Sequence, residues 1–326
     1  MNRRGTTIQG ALAAGALAIA FMLSHTRQSI GMNEAVIVEA RSSDIQTLKY
    51  FDGKRYYSVS PDPANPGDLL VHVSAGERFI ARGVPPEKVP DRDLKGGQLA
   101  KDLWNAFAPL KAMRALGKLS PERRKALGLE ETKRRLTVRV RGIERTYRLA
   151  TPPPGAVEPY LMAEDDGSVF MVNRLIMNSF SERALGPDKP HSFGLHEFDR
   201  MTITPIGKAA IGFKNQRLEG TEAHLVSEAA LQVNATSVEQ WHSGAFSVPV
   251  DDALGAGETP STGEPQVLYR LEYWLGRDRQ GWMDLAKGTF RGQPRLYFRT
   301  EQSSGWLIGA AGSHMLVDQA QSLLSS

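Results

Sequence analysis

Between Arg135 and Leu149 apolar and polar residues alternate on either side of one glycine, the pattern of two antiparallel strands joined by a tight turn. A two-residue turn at Gly142-Ile143 pairs Arg141 with Glu144 and thereby sets every other pair. Val140 then opposes Arg145, Val138 opposes Tyr147 and Leu136 opposes Leu149 on a mostly apolar face. Arg139 with Thr146 and Thr137 with Arg148 continue the polar face. The 31 Gly and 19 Pro cluster between periodic segments, as in a domain of many short strands and turns, which argues against an all-helical fold.

Other segments repeat the theme. Ala35 to Val38, Ile45 to Phe51 and Tyr56 to Val59 read as strands, with a turn at Asp52-Gly53. Leu69, Val71 and Val73 alternate, and Tyr160 to Ala163 with Val169 to Val172 flank Asp165-Asp166-Gly167 as a second hairpin. Met201 to Thr204, Ala210 to Phe213, the alternating run from Val267 to Leu275, Leu296 to Phe298 and Trp306 to Ile308 add strands after residue 200. Helical stripes are fewer. Leu99, Leu103, Ala106, Phe107 and Leu110 share one helical face, Ser120-Pro121-Glu122 opens a short helix, and Leu316, Ala320, Leu323 and Leu324 share the face of a last one. Leu175 to Phe180 reads as a further short helix, and residues 255–265 as a linker. The expected fold is α+β: antiparallel hairpins and sheets with a few packed helices, in two similar lobes over residues 34–197 and 198–326.

The N-terminus bears on location. After Arg3 and Arg4 the chain is uncharged for 22 residues, Gly5 to Thr26. As a helix this run spans roughly 33 Å, close to the hydrocarbon thickness of a bilayer. Residues 1–6 are then a cytoplasmic N-terminus, 7–26 a transmembrane helix and 27–33 a spacer. The expected location is a bacterial inner membrane, crossed once, with the body periplasmic. Ala16, Ala18 and Ala20 offer a signal-peptidase site, which keeps cleavage open as an alternative. No cysteine is present, so disulfides, thiolate metal sites, a cysteine nucleophile and a lipidated cysteine are all excluded.

Residues 122–148 hold ten Lys or Arg against four Glu. Arg135, Arg139, Arg141 and Arg148 form a candidate basic surface for anionic lipid, acidic glycan or an acidic partner, weighed against an ordinary solvated strand face. Nucleic acid is not expected, because export removes the opportunity and no recognition motif accompanies the charge. His191 and His196 are five apart and lack a third histidine, so no metal site is expected. There is no Gly-X-Ser-X-Gly elbow and no phosphate-binding loop. The acidic pairs Asp165-Asp166 and Asp251-Asp252 read as turn formers. No catalytic residue or cofactor is assigned, and five tryptophans are spread over the chain at 104, 241, 274, 282 and 306.

The order of parts resembles a bacterial family catalogued as domain of unknown function 4340. The similarity is carried by the N-terminal hydrophobic segment, the Ala-Leu-Gly at Ala115 to Gly117, the Leu-Gly-Leu at Leu127 to Leu129 and the Leu-Thr-Val at Leu136 to Val138. It continues in the Pro-Gly-X-X-X-Pro-Tyr run from Pro154 to Tyr160 and the acidic turn before Val169-Phe170. It is strongest from about Asp93 to Ile203 and extends more weakly over Val267 to Leu324. Members of that family are often encoded beside a gliding-motility-type ABC transporter and its auxiliary subunit. The resemblance implies a noncatalytic, membrane-anchored accessory or scaffold subunit whose partners are the transporter permease or auxiliary subunit. It carries over no site residues. The alternatives are a periplasmic hydrolase with a dispersed active site and a binding module for anionic lipid or polysaccharide.

Overall fold

The computed structural model describes residues 35–65, 67–78, 85–152, 157–174, 176, 179–181, 185–216, 224–228, 235–260 and 262–324. The expected anchor over 7–26 and the spacer at 27–33 lie outside them, as does part of the expected helix from Leu175 to Phe180.

Strands β1 (Ala35–Val38), β2 (Ile45–Phe51), β3 (Tyr56–Pro61), β4 (Leu69–Val73), β5 (Gly76–Arg78), β6 (Glu87–Val89) and β7 (Arg92–Lys95) precede helix α1 (Gln98–Ala106). Then come β8 (Leu110–Ala112), β9 (Arg114–Lys118), helix α2 (Pro121–Ala126), β10 (Arg135–Val140), β11 (Ile143–Ala150), β12 (Tyr160–Ala163) and β13 (Ser168–Met171). The remainder begins with β14 (Arg200–Pro205), β15 (Ile211–Asn215), β16 (Leu225–Ser227), helix α3 (Ala235–Phe246) and β17 (Val250–Ala253). It ends with β18 (Val267–Leu275), β19 (Asp278–Phe290), β20 (Gln293–Thr300), β21 (Leu307–Gly309) and helix α4 (Met315–Leu324).

The fold is mostly β, with 44% strand, 16% helix, four sheets and four helices among the described residues. This corrects the α+β expectation. The helical stripes are real but short, from six residues in α2 to twelve in α3, whereas β19 alone runs for thirteen. The helices therefore cover sheet faces without forming a layer of their own. Among the described residues no helix is long and apolar enough to cross a membrane.

A nine-stranded sheet has the order β7-β4-β3-β2-β10-β11-β12-β13-β9, and an eight-stranded sheet the order β16-β15-β14-β18-β19-β20-β21-β17. The pairs β1-β8 and β5-β6 complete the set. One apolar core runs through both large sheets. It joins Leu48, Val59, Leu136 and Leu149 of the first to Met201, Phe213, Leu271 and Phe298 of the second, with Val238 and Trp241 of α3 and Val317 and Ala320 of α4. Polar contacts add to it: Lys95 Nζ donates to the Glu301 carbonyl at 2.9 Å, and Arg291 pairs with Glu87 at 2.7 Å.

The central hairpin forms, with its turn one residue earlier than the expected one. Val140 pairs with Ile143, Val138 with Arg145 and Leu136 with Tyr147. Arg141 and Gly142 take φ of +48° and +82°, the left-handed pair that a two-residue turn between twisted strands demands. A turn over Gly142-Ile143 would impose that conformation on a β-branched residue, which is costlier than imposing it on arginine. The faces survive the correction, because register moves by two residues and the side-chain period is also two. Leu136, Val138, Tyr147 and Leu149 are accordingly buried. Gly142→Val should lower stability by about 1–2 kcal/mol, the cost of a side chain in the left-handed region, read as a shift in urea midpoint at constant slope.

Candidate functional site

The four arginines proposed from the sequence lie on the hairpin as expected, but the fold surrounds them with carboxylates. Arg135 Nε donates to Glu164 at 2.7 Å, and Arg148 Nε donates to the same oxygen at 3.1 Å. Arg141 Nη2 donates to Asp44 at 2.6 Å, which holds that carboxyl below its usual range. Arg139 is exposed and stands across the strands from Glu144. What reads in sequence as a basic run is in space a charge-matched lattice of partly exposed pairs, each contributing little to stability.

The structure brings His191 close to a histidine far away in sequence, His242. His191 and His242 sit in an aromatic nest, with the His191 ring 4.5 Å from Phe246, 4.9 Å from Phe193 and 5.0 Å from Tyr273. His191 Nδ1 lies 3.1 Å from both carboxylate oxygens of Glu301. His242 Nε2 hydrogen-bonds the Tyr273 hydroxyl at 3.2 Å. Burial, with His191 adjacent, pushes the His242 pKa down to about 3, and burial raises the Tyr273 hydroxyl well above its usual value. A polar cleft of about 180 Å³ lies over this nest, lined by Gly97, Gln98, Lys101, Asp188 and Ser192. His191 lines this cleft as well, with its side chain only 1% exposed.

The acidic pairs have structural partners. Asp166 accepts from the Ser168 amide at 2.8 Å, which lowers its pKa, and Asp165 accepts from Arg145 at 3.1 Å. Asp252 lies 3.8 Å from Arg92. Among the described residues no group of three metal-type ligands is assembled.

A third region was not anticipated. The eight-stranded sheet turns Met201, Leu271, Tyr273, Leu285 and Phe298 into the core, and α3 and α4 bury their apolar residues in the same cluster. Strand alternation then places Arg200, Trp274, Glu272, Arg270, Trp282, Asp284 and Arg299 on the opposite face. There Arg200 lies against Trp274 at 5.3 Å from the ring centre, Arg270 against Trp282 at 5.4 Å and Arg299 against Trp306 at 4.3 Å. Asp284, fully buried between two of these arginines, accepts from Arg270 Nε at 2.7 Å and Nη2 at 2.9 Å, and from Arg299 Nη2 at 3.1 Å. The carboxylate holds both guanidinium groups at fixed positions and raises the Arg270 pKa further. The other end of the face is covered by a small apolar cluster of Leu254, Ala286, Tyr297, Trp306 and Ile308.

The signal for this face was present in the parity of one strand. Tyr269, Leu271 and Tyr273 declare the core side, and Arg270, Glu272 and Trp274 fall between them. Comparison of the chain with protein-family models, with curated proteins and with solved structures finds no match in any of the three.

Proposed function

We propose that this is a noncatalytic envelope protein that docks an acidic partner protein on the outer face of its second sheet. The observation that carries the reading is the two part-exposed Arg-Trp pairs on that face, Arg200 with Trp274 and Arg270 with Trp282, set beside Arg299 against the buried Trp306. Tryptophan and arginine dominate the energetics of protein interfaces, and most solvated sheet faces carry neither in such density. Arg270 and Arg299 are already fixed by Asp284, so a partner immobilises fewer free rotamers on binding. Lys214 pairs in register with Arg200, Arg279 with Trp274, and Arg295 stands opposite Gly288, so six basic side chains on this face meet four carboxylates, Glu228 over Gly212, Glu264 beside Trp306, Glu272 and Asp284.

The uncharged run from Gly5 to Thr26 supports a single-pass anchor with a periplasmic body. The motifs quoted for domain of unknown function 4340 make the permease or auxiliary subunit of a gliding-motility-type ABC transporter the partner to look for. The noncatalytic reading draws support from the structural use of the acidic pair Asp165-Asp166.

The test is capture of partners from native membranes by the C-terminally tagged chain in mild detergent, compared with Arg200→Ala combined with Trp274→Ala. Neither residue touches Asp284 by hydrogen bond, so the arginine pair it holds stays in place. Loss of one interface tryptophan anchor corresponds to roughly 30-fold in affinity, so the transporter subunits should be recovered with the parent chain and lost from the variant. Equal recovery with both proteins, or no partner with either, contradicts the proposal.

A further inference from the structure

The first sheet has an exposed apolar corner of a different kind. Ile143, at the turn between β10 and β11, is 69% exposed, and Val36 on β1 is 52% exposed. A groove of about 280 Å³ is lined by Ile143 with Val38, Val138, Val140 and Ile37, the last next in sequence to Val36. Arg141, Arg145 and the exposed Glu39 line the same groove, the two arginine side chains more than half exposed although paired with Asp44 and Asp165. Large aliphatic side chains left in water beside cations are the composition of a surface that meets lipid headgroups.

The position of β1 in the chain says which surface this is. β1 begins at Ala35, and only residues 27–34 separate it from the uncharged run that ends at Thr26. Eight residues reach at most about 28 Å when fully extended. With the run at 5–26 anchored, as in the reading above on which this inference rests, β1 and its surroundings are held within that distance of the bilayer. A tether this short gives an effective local concentration of about millimolar, so a contact too weak to recruit a free protein can still orient an attached one.

We infer that the hairpin tip Arg141-Gly142-Ile143 and the adjoining β1 form a second membrane contact. Ile143 and Val36 enter the boundary between headgroups and acyl chains, and Arg141 and Arg145 lie among anionic headgroup phosphates. The contact sets the orientation of the body on the membrane and is separate from the Arg-Trp face.

The chain has no cysteine, so one introduced at position 143 is the only labelling site. Full-length Ile143→Cys carrying a nitroxide is placed in nanodiscs of phosphatidylethanolamine and phosphatidylglycerol, one chain per disc, and relaxation by oxygen is compared with relaxation by a water-soluble nickel chelate. Ile206→Cys, at a residue 55% exposed beside the second sheet, is the reference. The expected result is nickel accessibility at 143 at least threefold below that at 206, partly restored in discs of phosphatidylcholine alone. Equal accessibility at the two positions in a chain retained by the disc overturns the second contact and leaves the anchor standing. A chain not retained by the disc overturns both.

Discussion

Arg92→Ala is expected to destabilise the protein by about 3–5 kcal/mol, the usual consequence of removing one member of a buried ion pair. Arg92 is 4% exposed and closes a two-pronged pair with Glu258, Nε and Nη2 each 2.7 Å from a carboxylate oxygen. It lies on β7, the edge of the first sheet, and Glu258 follows β17 of the second, so the pair joins segments 166 residues apart. Alanine takes the guanidinium away from the carboxylates of Glu258 and Asp252, both poorly exposed, and Arg291 stands 4.0 Å from Asp252. Urea unfolding should show the midpoint shift at an unchanged slope. Arg92→Met with Glu258→Leu should recover part of the loss, because a buried pair removed whole costs far less than one removed by half. A shift below about 1 kcal/mol in the single variant would mean that the pair contributes no more than a surface contact.

Acid should weaken the protein through His242. This ring is fully buried with a pKa of about 3 against 6.5 for a free histidine. Between those values the unfolded chain takes up a proton that the folded chain refuses. The stabilisation is therefore complete above pH 6.5 and is lost as pH falls toward 3. From pH 7 to pH 5 this one group removes about 2 kcal/mol. His242→Gln keeps a polar group near Tyr273 and has no proton to take up, so the parent should lose about 2 kcal/mol more than the variant over that interval. Identical losses in the two proteins would show that His242 titrates alike folded and unfolded.

Strands whose two faces meet unlike surroundings were legible in the sequence. The runs at Ile45–Phe51, Leu69–Val73 and Val267–Leu275 alternate because one side is core and the other solvent, and each was read with its bounds. β19 was not read. It carries Gly281, Asp284 and Gly288, which signal turns when taken one at a time. In space Asp284 is the acceptor for two arginines, and a Cβ at Gly288 would lie 2.5 Å from the Tyr297 ring that crosses it. Both residues answer to neighbouring strands, information that no local window contains.

The candidate sites divide along the same line. The arginines of the hairpin stood out because they are close in sequence, and their carboxylate partners Asp44 and Glu164 did not because one ends the helical turn before β2 and the other follows β12. The tryptophans appeared scattered because 274, 282 and 306 are brought to one face only by the pairing of β18, β19 and β20 and the approach of the segment before β21. The weight given to helices was the principal error of fold class. An amphipathic stripe of nine residues is as clear in sequence as one of twenty, and says nothing of how much sheet surrounds it.

The docking face is tested most directly by a photo-crosslinking amino acid placed at position 202 and, separately, at 275 in the full chain within native membranes. Thr202 is part-exposed and pairs with Glu272 on the Arg-Trp face, whereas Leu275 has its side chain on the other side of the sheet and is 39% exposed. One discrete adduct with a partner protein is expected from 202 and none from 275. An adduct from 275 alone, or no adduct from 202, would contradict the docking face.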